Sequence, residues 1–169
     1  VPWAVEGYDF SRVAAQGSTL ASGSGEGAGY QVDGTMMRIR LPKPLPPGSS
    51  ADLEFDYRIR IPPDGAPRGG QDGEVYYISY WYPQMAVYDD VNGWQTDQYL
   101  GNAEFYMGYG DYDVSLTVPE GWLVAATGTL QSVTVTAGKK KISGSVQADG
   151  TWRSTDELDY DEGYSAFAR

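Results

Sequence analysis

Apolar and polar residues alternate with a period of two over much of the chain. The alternation has no exception between residues 51 and 61, where Ala, Leu, Phe, Tyr and Ile interleave with acids and arginines. This pattern is typical of a β-strand that buries one face and exposes the other. It predicts a strand over this segment, with Glu54 and Asp56 on the solvated face. We expect these acids to lie across from basic residues such as Arg38 and Arg40 on a neighbouring strand.

Shorter alternating segments predict further strands, separated by the Gly, Pro, Asn and Asp residues that turns require. The predicted strands cover residues 5–13, 30–32, 35–41, 75–82, 112–118, 122–127, 132–136 and 141–146. Asp33-Gly34 lies between two of them and predicts a two-residue hairpin turn. Residues 17–29 predict a flexible connection, and residues 83–94 predict a loop.

These elements predict the fold class, because no stretch of ten residues shows helical periodicity. We expect an all-β protein, built either as an antiparallel β-sandwich or as a saddle-like curved sheet, with no long helix. A length of 169 residues fits a single β-domain over residues 1–169.

The composition excludes several classes of enzyme, because the chain contains no cysteine and no histidine. Without cysteine there is no disulfide and no thiol nucleophile. Without histidine the usual general base and the commonest metal ligand are missing. Zinc catalysis, a Ser-His-Asp triad and a Cys-His pair are therefore impossible in this chain alone, and we expect no catalytic residue and no cofactor in it.

The net charge of −11 at pH 7 opposes binding to nucleic acid and to anionic membranes. No apolar run approaches the length of a membrane span, and the first residues lack the regions of a signal peptide. Because the sequence begins without Met, we expect a processed product or a piece of a longer protein. The low isoelectric point, the lack of cysteine and the many Tyr, Thr and Gly residues favour an extracytoplasmic bacterial location: periplasmic, secreted or at the cell surface.

One loop concentrates oxygen ligands. Asp89, Asp90, Asn92 and Asp97 suggest a calcium site, since calcium accepts about six to eight oxygens. The spacing does not fit an EF-hand, because the glycine follows too soon and no Glu closes the loop. The alternative is that these side chains cap turns by hydrogen bonding to their own backbone.

Two other groups of residues suggest chemistry. The carboxylate pairs Asp111 with Asp113 and Glu54 with Asp56 resemble a glycosidase pair in type, but they lie on an open strand surface. Aromatic side chains between residues 76 and 94 offer amphipathic contact area for a sugar or a peptide. Aromatic residues on a central strand are more typical of a core or an interface. They are Tyr76, Tyr77, Tyr80, Trp81, Tyr82 and Trp94.

A set of short motifs, in unbroken order, resembles one known family. The motifs are residues 35–42 (TMMRIRLP), 44–48 (PLPPG), 81–90 (WYPQMAVYDD), 93–94 (GW), 99–101 (YLG), 104–106 (EFY), 114–119 (VSLTVP) and 125–130 (AATGTL). Together they look like the amino-terminal β-domain of bacterial M1-family metallopeptidases, the aminopeptidase N-like gluzincins. The resemblance covers residues 35–130, which leaves residues 1–34 as a lead-in and residues 131–169 as a hairpin and an acidic tail.

The resemblance implies a saddle-like sandwich that packs against a separate catalytic domain. That missing domain would hold zinc on a His-Glu-x-x-His motif, so no catalytic or zinc residue is implied in this chain. The resemblance also implies that a Gln-x-Glu pair grips the amino terminus of the peptide. Gln71 and Glu74 lie near the corresponding place, one residue too far apart, and Glu74 is the better placed. The candidates for interdomain or ligand contact are Trp81, Tyr82, Tyr88 and Trp94.

The function we expect first is that of a non-catalytic β-domain of an M1-like zinc aminopeptidase, which acts as a scaffold and as one wall of the peptide pocket. Two alternatives stay open. The chain could be a stand-alone extracellular structural or adhesive β-module, such as a subunit of a surface layer or filament, that associates with itself or with other protein subunits. It could also be a carbohydrate-binding sandwich, an interpretation that rests on the aromatic residues alone.

Overall fold

A computed structural model describes residues 7–63, 68–98 and 106–146 of the chain. The described residues form antiparallel strands in several small sheets and no helix, which confirms the all-β prediction. They accordingly contain no helix that is long and apolar enough to cross a membrane. The strands are β1 (Asp9–Ala15), β2 (Ser18–Thr19), β3 (Gly29–Asp33), β4 (Met36–Arg40), β5 (Leu53–Arg58), β6 (Gly69–Asp72), β7 (Val75–Ile78), β8 (Tyr88–Asp89), β9 (Gly93–Trp94), β10 (Tyr112–Pro119), β11 (Thr129–Thr136) and β12 (Lys139–Val146).

The chain divides into two compact units, residues 1–106 and residues 107–169. Within the described residues, the first unit holds a three-stranded sheet in the order β2-β1-β5 and the hairpins β3–β4, β6–β7 and β8–β9. The second unit holds a three-stranded sheet in the order β10-β12-β11. The single domain predicted over residues 1–169 stays a prediction.

The core of the first unit lies along β1 and β5. Val13, Ala15 and Leu20 are buried, and Phe10 and Phe55 pack against them. Val13 lies directly opposite Phe55 in the antiparallel ladder, so the two strands send apolar side chains to the same face. Burial of one aliphatic side chain of this kind stabilises the fold by about 1.5–3 kcal/mol.

The alternation predicted over residues 51–61 is present, and β5 occupies its middle part. Side chains at odd-numbered positions from 51 to 59 are half-buried, and those at even-numbered positions are exposed. The ladder is shorter than predicted because β1 begins at Asp9, which lies opposite Arg58. β1 itself lies later in the chain than the strand predicted over residues 5–13.

The acidic face of β5 has a different partner from the predicted one. Glu54 and Asp56 face Arg12, because β5 pairs with β1. The predicted partners, Arg38 and Arg40, lie on β4, which pairs with β3. Arg40 donates hydrogen bonds to two backbone carbonyls of the Gly/Ser-rich connection. That connection is therefore tied to β4, and it contains β2, where the sequence predicted only a flexible link.

Two-residue turns close four of the hairpins. Both turn residues have positive φ at Gln16-Gly17 and at Ala137-Gly138, as a type I′ turn requires. Only the first turn residue has positive φ in the β3–β4 and β6–β7 hairpins, where it is Gly34 and Gly73 respectively. Glycine at the first position is the signature of a type II′ turn.

The β3–β4 turn lies one residue later than predicted. Asp33 pairs with Met36, so the turn residues are Gly34 and Thr35 and not Asp33-Gly34. The type II′ geometry explains the shift, because it needs glycine first whereas a type I′ turn would place it second. Both arms of the predicted hairpin are strands.

The segment predicted as one strand over residues 75–82 is a strand only as far as Ile78. Tyr80 has a φ of +53°, in the left-handed region that a bulky side chain rarely adopts, and the extended run has ended before it. The loop predicted over residues 83–94 contains the hairpin β8–β9. Local turn chemistry therefore produces more order here than the sequence pattern suggested.

In the second unit, β12 is central and pairs with β10 on one side and β11 on the other. The strand predicted over residues 122–127 is wrong, because β12 and not this segment pairs with β10. Leu116, Ile142 and Val133 stand side by side across the three strands and share one face. Ile142 is 7% exposed and Val133 is 47% exposed, so the described residues cover this face only near its centre.

Candidate functional site

An exposed aromatic surface lies on residues 83–98, which we call the aromatic arm. Within it β8 and β9 form a two-stranded antiparallel hairpin. The Gln95 backbone N–H donates to the Val87 carbonyl at 2.8 Å, which extends the pairing by one step. The Asp, Asn and Gly residues between the strands supply the conformations that the reversal needs. The arm is thus an ordered hairpin and offers a defined surface.

The two rings of the arm contact each other. Tyr88 and Trp94 lie opposite each other in the ladder, and their rings meet edge to face with centroids 5.3 Å apart. Tyr88 is 65% exposed and Trp94 is 56% exposed. An edge-to-face pair adds about 0.5–1.5 kcal/mol beyond area burial. The contact therefore orders two rings that solvent still reaches.

The acidic residues of the arm do not converge on a cation site in the described chain. Asp89 accepts hydrogen bonds from the backbone N–H groups of Val91 at 3.0 Å and Asn92 at 2.7 Å, and from Gln95 Nε2 at 2.8 Å. This is the turn-capping arrangement that the sequence offered as the alternative to calcium binding. Among the described residues no three acidic side chains gather as metal ligands would, and Asp90, Asn92 and Asp97 are exposed.

Glu74 and Gln71 lie together in the β6–β7 hairpin. Glu74 is the second residue of the two-residue turn and is exposed. Gln71 is half-buried, and its Nε2 donates to the Gly73 carbonyl at 2.9 Å within the same turn. The structure therefore presents the Glu74 carboxylate at a hairpin tip and uses the Gln71 carboxamide to brace that tip.

Trp81 and Tyr82 lie apart from the exposed ring pair. Both are half-buried, and their rings meet edge to face with centroids 5.7 Å apart. The Tyr57 hydroxyl donates to the Trp81 carbonyl at 3.2 Å, which ties this point to β5. Burial raises the pKa of Tyr57 above its ordinary value, and the neighbouring Tyr8 raises it further. Burial also raises the pKa of Tyr8.

Trp81 and Tyr57 also line an open trough with a volume of about 640 Å³. Its lining includes the charged residues Asp56 and Arg58 as well as apolar residues. The apolar lining residues are Phe55, Ile59, Ile61, Ile78 and Trp81. The trough and the aromatic arm both present apolar groups of the first unit.

The carboxylate pair on β5 forms an ion cluster with Arg12. Arg12 Nη2 lies 2.6 Å from Glu54 Oε2, and Arg12 Nη1 lies 3.6 Å from Asp56 Oδ2. The hydrogen bond to Glu54, followed by the charge of Glu54, raises the pKa of Arg12. Both carboxylates thus face a permanent cation on an exposed sheet surface, which is not the arrangement of an acid–base pair. Asp111 and Asp113 are also exposed.

One set of contacts at the arm has no signal in the sequence. Gln98 binds the β3–β4 turn through its carboxamide, although 63 positions separate it from Thr35. No periodicity, turn motif or charge pattern indicates such a pair, because it depends on how two distant hairpins come together.

Comparison with known protein families, curated proteins and solved structures finds no match for this chain.

Proposed function

We propose that this chain is the non-catalytic β-domain of an M1-like zinc aminopeptidase, where it serves as a scaffold and as one wall of the peptide pocket. The observation that carries this proposal is the balance of buried and exposed apolar groups. In the described residues, five hydrophobic side chains are buried, whereas many large ones are exposed. An ordered β-structure with so much apolar surface is suited to packing against another domain.

The aromatic arm is the contact we assign to that second domain. Tyr88 and Trp94 are exposed rings held by a hairpin and by each other. Aromatic anchors carry much of the energy of protein interfaces, and anchors that are ordered before binding lose less conformational entropy. The Asp89 carboxylate is engaged within its own turn, whereas the two rings are exposed.

Glu74 is the residue we assign to the pocket. Its carboxylate lies on a tight turn, where it can accept charge-assisted hydrogen bonds from the ammonium group of a peptide amino terminus. Gln71 supports the turn through the Gly73 carbonyl. We therefore assign Glu74 to substrate binding and Gln71 to positioning.

The zinc of such an enzyme belongs to its catalytic domain. This chain has no histidine, and its described residues gather no acidic group that fits the metal. When bound by the other domain, zinc activates water and polarises the peptide carbonyl. We derive no step of that hydrolysis from the residues of this chain.

The test starts from the native gene product, through its intact mass and the reading frame past Arg169. We expect a following domain with a His-Glu-x-x-His helix and release of amino-terminal residues from peptides. In that protein Glu74→Gln should raise KM about tenfold, because a charge-assisted hydrogen bond is lost. Glu120→Gln, at another exposed turn, is the control and should leave KM unchanged. A native product that ends at Arg169 and hydrolyses no peptide would refute the proposal.

A second candidate is a structural module that assembles through strand edges. It is favoured by β11, which has no charged residue, pairs only with β12 among the described strands and exposes Val133 and Val135. Long uncharged edge strands are templates for pairing with another chain. Sedimentation of the purified chain distinguishes the candidates: concentration-dependent assembly that Val133→Lys abolishes supports the module, and a monomer at all concentrations excludes it.

A further inference from the structure

The carboxamide of Gln98 hydrogen bonds to the backbone of the β3–β4 turn in the way that a neighbouring strand would. Gln98 Oε1 accepts hydrogen bonds from the Thr35 backbone N–H at 2.7 Å and from Thr35 Oγ1 at 2.8 Å. Gln98 Nε2 donates to the Asp33 carbonyl at 2.8 Å. An amide that accepts from one backbone N–H and donates to one backbone carbonyl reproduces the pairing of a β-ladder. One side chain therefore pairs with the backbone at the end of this two-stranded hairpin.

Gly34 makes room for that carboxamide. A Cβ built on Gly34 would overlap Gln98 Oε1 and would lie 2.9 Å from the carboxamide carbon and 3.1 Å from Nε2. The φ of Gly34 is +56°, which also favours glycine. Glycine is thus required here for two separate reasons: the backbone angle of the turn and the space that Gln98 occupies.

The contact lies at the end of the aromatic arm. Two residues before the start of the arm, the Tyr57 hydroxyl donates a hydrogen bond to the carbonyl of Trp81 at 3.2 Å. At its end, residues 95–98 belong to no strand, and Gln98 bonds directly to the β3–β4 hairpin. The arm is therefore tied to the first unit at both ends, once to β5 and once to the β3–β4 turn.

We propose that Gln98 is a latch that holds the aromatic arm on the β3–β4 hairpin and so positions Tyr88 and Trp94. The latch acts through the backbone of Asp33 and Thr35, and any side chain at position 34 opens it. This inference goes beyond the proposed function, since it holds whatever surface the two rings contact. It makes Gln98 and Gly34 positioning residues for the two rings.

Hydrogen exchange of backbone amides in the full chain tests the latch. The Thr35 amide reports the latch itself, and the Gln95 amide, bonded to Val87, reports the order of the arm. Gln98→Ala should speed exchange at both amides about threefold to tenfold, as expected for the loss of neutral hydrogen bonds. Gly34→Ala should speed exchange at Gln95 by a similar factor, because the added methyl group displaces the carboxamide.

The double variant and two further variants separate the latch from a general loss of stability. Gly34→Ala combined with Gln98→Ala should speed Gln95 exchange no more than either single variant does. Gln98→Glu keeps the acceptors but loses the donor to Asp33, so it should give an intermediate rate. Gln131→Ala, which removes a carboxamide bond to Ser145 Oγ in the second unit, should change neither rate. An unchanged Gln95 rate in Gln98→Ala, or additive effects in the double variant, would overturn the proposal.

Discussion

β5 and β10 have the same alternating pattern, yet their apolar faces have different surroundings. Phe55 of β5 lies opposite Val13, which is 1% exposed and belongs to a cluster of buried side chains. The matching row in the second unit runs from Leu116 through Ile142 to Val133, and only Ile142 is buried. Alternation therefore indicates which face of a strand is apolar, but it does not indicate what covers that face.

The apolar faces of the two units therefore differ in what they contact. In the first unit the apolar face stabilises the fold internally, because β1, β5, the segment after β2 and the β3–β4 hairpin meet on it. In the second unit much of the apolar face stays accessible among the described residues. Apolar surface that stays accessible on an ordered sheet is available to a partner.

Substitution of a valine on each apolar face should have the largest difference in effect. Val13→Asp should lower the free energy of unfolding by about 3–5 kcal/mol, because it buries a charge without a partner. Val133→Asp should lower it by less than about 1 kcal/mol, because that side chain is half exposed. Urea denaturation followed by circular dichroism measures both. Equal losses would mean that the second face is covered as well as the first.

Truncation of Ile142, the one buried residue among the described side chains of the second sheet, has the next largest effect. Ile142→Ala should lower the stability of this sheet by about 2–4 kcal/mol, because it removes the centre of the apolar row. Val135→Ala on the same face is the control and should lower it by less than about 1 kcal/mol. Hydrogen exchange of the β10 and β12 amides locates the loss. Unchanged exchange in Ile142→Ala would show that the row contributes little to the sheet.

Alkaline pH should lower the stability of the first unit through its partly buried tyrosines. Because the folded state raises the pKa of Tyr57, the unfolded chain releases this proton at a lower pH than the folded chain does. The stabilisation is therefore complete below the ordinary tyrosine pKa of about 10 and is lost as the pH rises through the folded-state value.

We expect the melting temperature to fall less between about pH 9.5 and pH 11 in Tyr57→Phe than in the wild type, by roughly 2 °C. Part of the fall in melting temperature should remain in this variant, because burial also raises the pKa of Tyr8. Tyr109→Phe in the second unit is the control, because Tyr109 is 91% exposed. A fall of the same size in the Tyr57→Phe variant would assign the alkaline loss to other groups.

The ion cluster on the outer face of the first sheet should have the smallest effect. Arg12→Met removes the partner of Glu54 and Asp56 but keeps most of the apolar stem. We expect the melting temperature to fall by about 1 °C or less at low salt and not at all in about 0.5 M NaCl, because exposed charges are screened. A loss that persists in high salt would show that Arg12 acts through packing of its stem.

The strands were predictable from local pattern, and their partners were not. The alternation over residues 51–61 predicts the inward and outward faces of β5, because side chains alternate on any strand. The choice of Arg12 over Arg38 as the partner of Glu54 depends on which strand lies beside β5. The strand predicted over residues 122–127 fails for the same reason, since it has the composition of a strand but β12 pairs with β10 instead.

The candidate site was predictable in composition and not in geometry. Tyr88 and Trp94 flank a turn-forming segment, which suggests a hairpin, but the same residue types also suggested calcium ligation at Asp89. Hydrogen bonds within the turn engage that carboxylate, a choice that depends on distances of a few ångströms. The Gln98 latch joins segments 63 positions apart, so no local pattern encodes it.

The two-residue turn at Ala137-Gly138 also bears on the order in which the molecule folds. β11 and β12 are adjacent in sequence, so their pairing closes a short loop, whereas Arg12 and Glu54 of the first sheet are 42 positions apart. Short loops lose less entropy on closure, and hairpins form within about 1–10 μs. In pulse-labelling exchange during refolding, we expect the β12 amides to be protected before the Val13 amide. The β11–β12 hairpin of the second unit would then form before β1 and β5 of the first unit pair.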